Sequence, residues 1–149
     1  MKTLILAALL CALLALDTAQ GQSCPSGWAL NNGRCFTYVP RYMSWNDAQV
    51  NCRNKNANLA SVRDKDDYAV IQKVIADGKW TRTVWIGGQK GGSWFWIDGT
   101  PFRYTNWAPG QPDYEWGNEF CIQVNYGAQK LWGDEYCGSL MHFVCSKNV

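Results

Sequence analysis

Helical periodicity in this chain is confined to the stretch before Gly78. Trp45, Ala48, Val50 and Cys52 mark the inner side of one predicted helix, which Ser44 can cap with Asp47 at the third helical position. The pattern fades in Asn54-Lys55-Asn56. Tyr68, Ile71, Val74 and Ile75 recur at three- to four-residue spacing and predict a second helix from about Asp64 to Asp77, stopped by Gly78. Ahead of both, Asn32-Gly33 is a hairpin-turn dipeptide, and Arg34 to Val39 alternates as a strand does. Leu59-Ala60-Ser61-Val62 is a short apolar piece between the helices.

After Gly78 the apolar runs are short and rich in aromatic and β-branched residues: Val84 to Gly87, Trp94 to Ile97, Cys121 to Val124, Leu131-Trp132 and His142 to Cys145. Two helices followed by several strands is an α+β order. Between the strands, residues 100–117 are rich in Pro, Gly, Asn and aromatics without periodicity and predict a long loop. Loops of that length in a compact domain are commonly functional or disordered, and the aromatic content of this one argues against disorder.

The N-terminus breaks the pattern. Lys2 precedes an apolar run from Leu4 to Leu16, too short to cross a bilayer and flanked as a secretory leader is. Ala19 and Gly21 offer small residues for cleavage, so residues 1–21 are expected to be a signal peptide and residues 22–149 one extracellular domain; an uncleaved anchor is the alternative. Cleavage removes one base, Lys2, and one acid, Asp17, and leaves the net charge of +2 unchanged. Scattered Lys and Arg at that balance give no electrostatic footprint for nucleic acid or an anionic membrane.

Of seven cysteines, Cys11 lies in the leader. The remaining six, Cys24, Cys35, Cys52, Cys121, Cys137 and Cys145, predict three disulfides in a secreted chain, with the pairing left open apart from a local Cys24–Cys35 bridge across the Asn32-Gly33 turn. Neither a Cys-x-x-Cys pair nor more than one histidine is present, which argues against zinc. No Asn-x-Ser/Thr acceptor occurs.

Candidate chemistry gathers between Asn106 and Cys137. Gln111, Asp113, Glu119 and Asp134 bring carboxamide and carboxylate oxygens to one span, the donor type a hard cation such as calcium takes in sets of six to eight. Pro112 fixes φ between two of them and permits a cis bond that would aim both side chains at one point. Catalysis fits poorly. The single histidine, His142, sits on a strand between Met141 and Phe143, and the even cysteine count leaves no thiol for a Cys/His pair. Asp113 and Glu119 could be imagined as a glycosidase pair, but metal ligation explains their spacing better.

From Cys24 to Cys145 the chain resembles a C-type lectin-like domain. The matching motifs are Cys24-Pro25-x-x-Trp28, Trp85-Ile86-Gly87, Trp94-x-Trp96-x-Asp98-Gly99, Asn106-Trp107, Gln111-Pro112-Asp113, Glu119-x-Cys121, Trp132-x-Asp134 and Cys137 with Cys145. The resemblance implies two helices with two small antiparallel sheets, a long ligand-binding loop, and bridges Cys24–Cys35, Cys52–Cys145 and Cys121–Cys137. It also implies calcium ligands at Gln111, Asp113, Glu119 and Asp134, with Gln111, Asp113, Trp116 and Glu119 facing the sugar. In the family, Gln-Pro-Asp goes with galactose and N-acetylgalactosamine. Two sugar hydroxyls would replace waters on the cation, each donating to a carboxylate and accepting from an amide N–H.

One departure stands out. The family pattern has an asparagine between the Trp and Asp of the last motif, where this chain has Gly133. One expected ligand is therefore missing, and either a water replaces it, with weaker calcium binding, or the metal has been lost and sugar is bound without it.

The remaining residues have blander expectations. Seven of the nine tryptophans (Trp28, Trp45, Trp85, Trp94, Trp96, Trp107 and Trp132) fall in or near scaffold motifs and are expected to pack the core. Trp116 or Tyr114 is expected to stack on the sugar or to anchor the loop, and Trp80 to pack or make a dimer contact. Asp64, Lys65, Asp66 and Asp67 read as a solvated helix start, Glu115 and Glu135 as surface acids, and His142 as structural. The resemblance implies a secreted lectin for galactose-type glycans on cell or microbial surfaces, in innate defence or agglutination. Weak single sites would gain avidity in a non-covalent homodimer. The alternative is a lectin-like fold that binds ice, mineral or protein.

Overall fold

The computed structural model describes residues 23–114, 117 and 120–149. The leader assigned to residues 1–21 lies outside the described residues, as do Glu115, Trp116 and Glu119. The elements run β1 (Ala29–Asn31), β2 (Arg34–Met43), α1 (Trp45–Arg53), β3 (Asn58–Leu59), α2 (Lys65–Asp77), β4 (Val84–Lys90), β5 (Trp94–Trp96), β6 (Phe120–Tyr126), β7 (Leu131–Tyr136) and β8 (Met141–Asn148).

β1 and β2 form the expected hairpin, turning at Asn32 (φ 44°) and Gly33 (φ 78°). Both central residues are left-handed, the geometry that matches the twist of the flanking strands. β2 pairs antiparallel with β8, which also takes β3; β4 pairs antiparallel with β5 and with β6, and β6 with β7. The two antiparallel groups implied by the resemblance are present, joined here into one eight-stranded sheet. They meet in a short parallel pairing, Val84 with His142 and Trp85 with Phe143, so the strands run in the order β1-β2-β8-β4-β6-β7.

Ser44 caps α1 by accepting the Asp47 N–H at 3.2 Å. Trp45, Ala48 and Cys52 are buried, whereas Val50, expected on the inner side, is 59% exposed. Two residues beyond Ala48 places a side chain about 200° around a helix of 3.6 residues per turn, so Val50 faces water. In α2, Tyr68, Ile71 and Ile75 are buried and Val74 is partly so. Gly78 does end the helix, though with φ at −77° it needs no left-handed freedom. Its requirement is space: a Cβ at position 78 would collide with the Tyr38 ring. The left-handed residue is the next one, Lys79 (φ 61°).

The acidic start of α2 is not uniformly solvated as expected. Asp64 caps the helix through the Asp67 N–H at 2.9 Å, but Asp67 itself is fully buried. Its carboxylate accepts from Arg34 Nη2 at 2.9 Å, Arg63 Nε at 2.8 Å and Asn31 Nδ2 at 2.8 Å. Burial opposes its ionisation and is outweighed by hydrogen bonds from the Arg63 side chain and backbone and from Asn31, with the Arg34 charge adding to them; the carboxyl is held well below the usual range.

Three disulfides join Cys24 to Cys35, Cys52 to Cys145 and Cys121 to Cys137, the pairing the resemblance implies. Trp45, Trp85, Trp96 and Trp132 are buried, while Trp28, Trp94 and Trp107 are partly buried against the core. Trp80 is a packing residue: its indole stacks on His142 with ring centres 3.7 Å apart. His142 is buried and lies 2.6 Å from the Tyr38 hydroxyl through Nδ1, a structural role as expected.

Candidate functional site

The long loop is fastened to β7 before it reaches the candidate ligands. Trp132 donates its N–H to Asn106 O at 3.0 Å and accepts the Ala108 N–H at 2.7 Å, which makes a short parallel bridge between Trp107 and Trp132. Ala108 O then accepts the Gln111 N–H at 2.9 Å, closing a turn through Gly110 (φ 80°). The Gln111–Pro112 peptide is cis. The loop therefore arrives beside Gly133 and Asp134, the two residues that follow Trp132 on β7.

Three of the predicted ligands meet there. The Asp134 carboxylate accepts the N–H of Asp113 at 3.0 Å through Oδ1 and that of Tyr114 at 2.9 Å through Oδ2. The Asp134 N–H donates to Gln111 Oε1 at 3.3 Å, and Gln111 Nε2 donates to Asp113 Oδ2 at 3.1 Å. Asp134 is buried whereas Asp113 is exposed. Burial raises the Asp134 pKa, the two backbone N–H groups lower it, and the neighbouring Asp113 raises it again, so the net shift is upward. A positive charge near this pair would relieve both the burial and the repulsion.

These residues border a hollow of about 100 Å³ that is also lined by Phe120, Gln123 and Tyr126. Among the described residues, no group of three His, Cys, Asp or Glu side chains is close enough to hold a metal. Among the described residues that line it, the groups able to ligate a metal do so through oxygen: the Asp113, Asp134 and Glu135 carboxylates and the Gln111 and Gln123 carboxamides. That donor set fits a hard cation such as calcium and does not fit a metal that prefers sulfur or imidazole. The fourth predicted ligand, Glu119, and the predicted sugar-stacking Trp116 lie outside the described residues.

Tyr114 serves as a loop anchor. It adopts φ 54°, its ring carries the Lys90 ammonium 4.2 Å from the centroid, and its edge meets Phe120 at 5.4 Å. One ring face is thereby occupied by a cation, which ties the loop to β4 and β6. Glu135 lies beside the hollow with one carboxylate oxygen accepting the Tyr136 N–H at 2.8 Å.

The sequence reading missed Gln123. It is 95% withdrawn from solvent (5% exposed) and pairs across the ladder with Gly133. The signal was present: in Cys121-Ile122-Gln123-Val124 the strand's two-residue alternation puts Gln123 on the face of the bridged Cys121, a polar residue among apolar neighbours.

The Lectin C-type domain model matches residues 41–147. The galactose-specific lectin nattectin of Thalassophryne nattereri is 38% identical across 85% of this chain and 82% of its own length. A type-2 ice-structuring protein of Osmerus mordax is 36% identical across 97% of this chain and 92% of its own. Among solved structures, a Ca2+-dependent type II antifreeze protein in its Ca2+-free form superposes with a TM-score of 0.76, at 34% identity over 84% of this chain and all of the other (100%). A calcium-independent type II antifreeze protein superposes with a TM-score of 0.74, at 33% identity over 85% of this chain and 95% of the other.

Proposed function

The chain belongs to the C-type lectin domain family, and from that premise we propose that it is a secreted lectin that binds galactose- and N-acetylgalactosamine-type glycans with the help of calcium. The observation that carries this reading is the convergence of Gln111, Asp113 and Asp134 on one oxygen-lined hollow beside β7. In the proposed site Gln111, Asp113, Glu119 and Asp134 hold the cation. Bound calcium would supply positive charge that sugar hydroxyls can coordinate in place of water. The protein's own part is to position those hydroxyls. Asp113, exposed at the rim, accepts a hydroxyl proton, and the Gln111 carboxamide offers an N–H to a hydroxyl oxygen. Trp116 gives the apolar face of galactose a surface to stack on. The similarity to nattectin, named for galactose specificity, supports the sugar class. A role outside catalysis accords with relatives that are lectins and antifreeze proteins.

Secretion rests on the leader-like residues 1–21 and on the three disulfides, which persist in oxidising compartments. A non-covalent homodimer would provide the multivalency that weak single sites need for binding surface glycans in defence or agglutination.

Titration calorimetry of lactose into the protein, once with millimolar calcium and once with EDTA, tests the proposal. Binding in calcium alone is the expected result. Equal binding in both keeps the lectin and removes the metal.

The second reading is ice binding, favoured by the 36% identity to an ice-structuring protein over nearly the whole chain. Thermal hysteresis from a protein that takes up no lactose in either titration would establish that reading in place of the first.

A further inference from the structure

Gly133 has no side chain, yet the space above it is filled. A Cβ built on Gly133 would lie 3.2 Å from Gln123 Nε2, 3.3 Å from Gln111 Oε1 and 3.3 Å from Tyr126 Cδ1. Gln123 reaches this place because it is the direct partner of Gly133 in the antiparallel β6–β7 ladder. Directly paired residues on one face of such a ladder have Cβ atoms about 4.5–5.5 Å apart, so a long side chain on one strand can cover a glycine on the other. Two carboxamides thus occupy the volume that a residue-133 side chain would fill.

The Gln123 carboxamide is held loosely for a group so deeply buried. Its Nε2 donates to the Asp134 main-chain carbonyl at 3.5 Å, the long limit of a hydrogen bond. The terminal amide has a soft, roughly two-fold torsion, so turning it over presents Oε1 where Nε2 now lies. Two oxygens, Gln123 Oε1 and Asp134 O, would then face the same point. That arrangement is repulsive by itself and favourable around a cation. Gln111, Asp113 and Asp134 line the same hollow.

We propose that Gln123 is a cation ligand of this hollow: across the ladder, its carboxamide supplies the oxygen that position 133 lacks. The proposal rests on the calcium reading given above. It explains how a chain with glycine at that position retains a full oxygen set, and it makes Gln123 and Gly133 a matched pair. A side chain at position 133 would require Gln123 and Gln111 to shift.

The test is calorimetric titration of calcium into the disulfide-bonded protein and two variants, with unfolding of the calcium-free forms followed in parallel. Gln123→Met keeps the length and bulk and removes the oxygen. It is expected to weaken calcium binding about 10-fold, the low end of what loss of a group supporting a metal costs. Gln123→Glu keeps an oxygen and adds charge, and is expected to bind calcium more tightly, since affinity follows ligand charge. Unchanged affinity in both variants, with the unsubstituted protein binding calcium, overturns the role of Gln123 and leaves the calcium site standing. No calcium binding by the unsubstituted protein overturns the calcium reading and this inference with it. Weaker calcium binding by Gln123→Met with unfolding of its calcium-free form unchanged is the outcome a purely structural Gln123 would not give.

Discussion

Arg34 and Asp67 form an ion pair at 2.9 Å with both side chains withdrawn from water. Arg34 stands at the start of β2 and Asp67 in the first turn of α2, so the pair joins the N-terminal hairpin to the helix layer. Removing one partner of such a pair leaves the other charged and unsolvated. Asp67→Ala is expected to lower the unfolding free energy by about 3–5 kcal/mol in denaturant titrations.

The same carboxylate sets a pH dependence. Its folded pKa lies below its unfolded value of about 3.9, so its stabilisation is fully present above that value and is lost as pH falls toward the folded pKa. Stability should therefore decline steeply below about pH 4, and Asp67→Asn should flatten that limb. Melting temperatures measured from pH 2 to 6 on both proteins check this.

His142 gives a second slope, at higher pH. Burial lowers its pKa, so below about 6.5 the unfolded chain takes up a proton that the folded chain resists. Stability then falls as the pH drops through the window between the unfolded and the folded value. The slope should disappear in His142→Gln, read as melting temperature between pH 5 and 7.

Gly78→Ala is expected to destabilise although the φ of −77° at this helix end suits alanine. The added methyl collides with the Tyr38 ring, and overpacking of this kind costs about 1–3 kcal/mol. Adding Tyr38→Leu should recover part of the loss, and a fully additive double variant would show that the collision is not the cause.

At the site, Asp113→Ala should abolish retention on immobilised galactose and leave far-UV circular dichroism unchanged, because Asp113 is exposed at the loop rim. Asp134→Ala should also release the N–H groups of Asp113 and Tyr114 that its carboxylate now accepts. Faster amide exchange at residues 113 and 114 is the expected mark of Asp134→Ala and should be missing from Asp113→Ala.

The helices and the hairpin turn were readable because each rests on local chemistry: a cap at Ser44, left-handed residues at Asn32 and Gly33, apolar spacing at Tyr68, Ile71 and Ile75. Of the disulfides only Cys24–Cys35 is local in this sense; Cys52–Cys145 joins residues 93 apart, and its pairing came with the family resemblance. The errors arose where tertiary contacts decide. Asp67 looks like its solvated neighbours in sequence, and only the arrival of Arg34 and Asn31 from the hairpin makes it a buried anchor. Gln111, Asp113 and Asp134 could be named from residue type, and their convergence follows from the tether between Trp132 and the loop. Gln123 escaped notice because its role depends on which residue of another strand it faces.

That tether also makes the protein its own optical probe. The loop is bonded to β7 at Trp132, whose ring meets Trp96 at 5.6 Å and Trp107 at 5.8 Å, while Trp107 lies 5.1 Å from Trp94. Four indoles thus form a continuous chain of contacts, Trp94 to Trp107 to Trp132 to Trp96, that starts where the loop is bonded to β7. Any rearrangement of the loop on binding changes the surroundings of Trp107 first, and the change should be visible in intrinsic emission without a label.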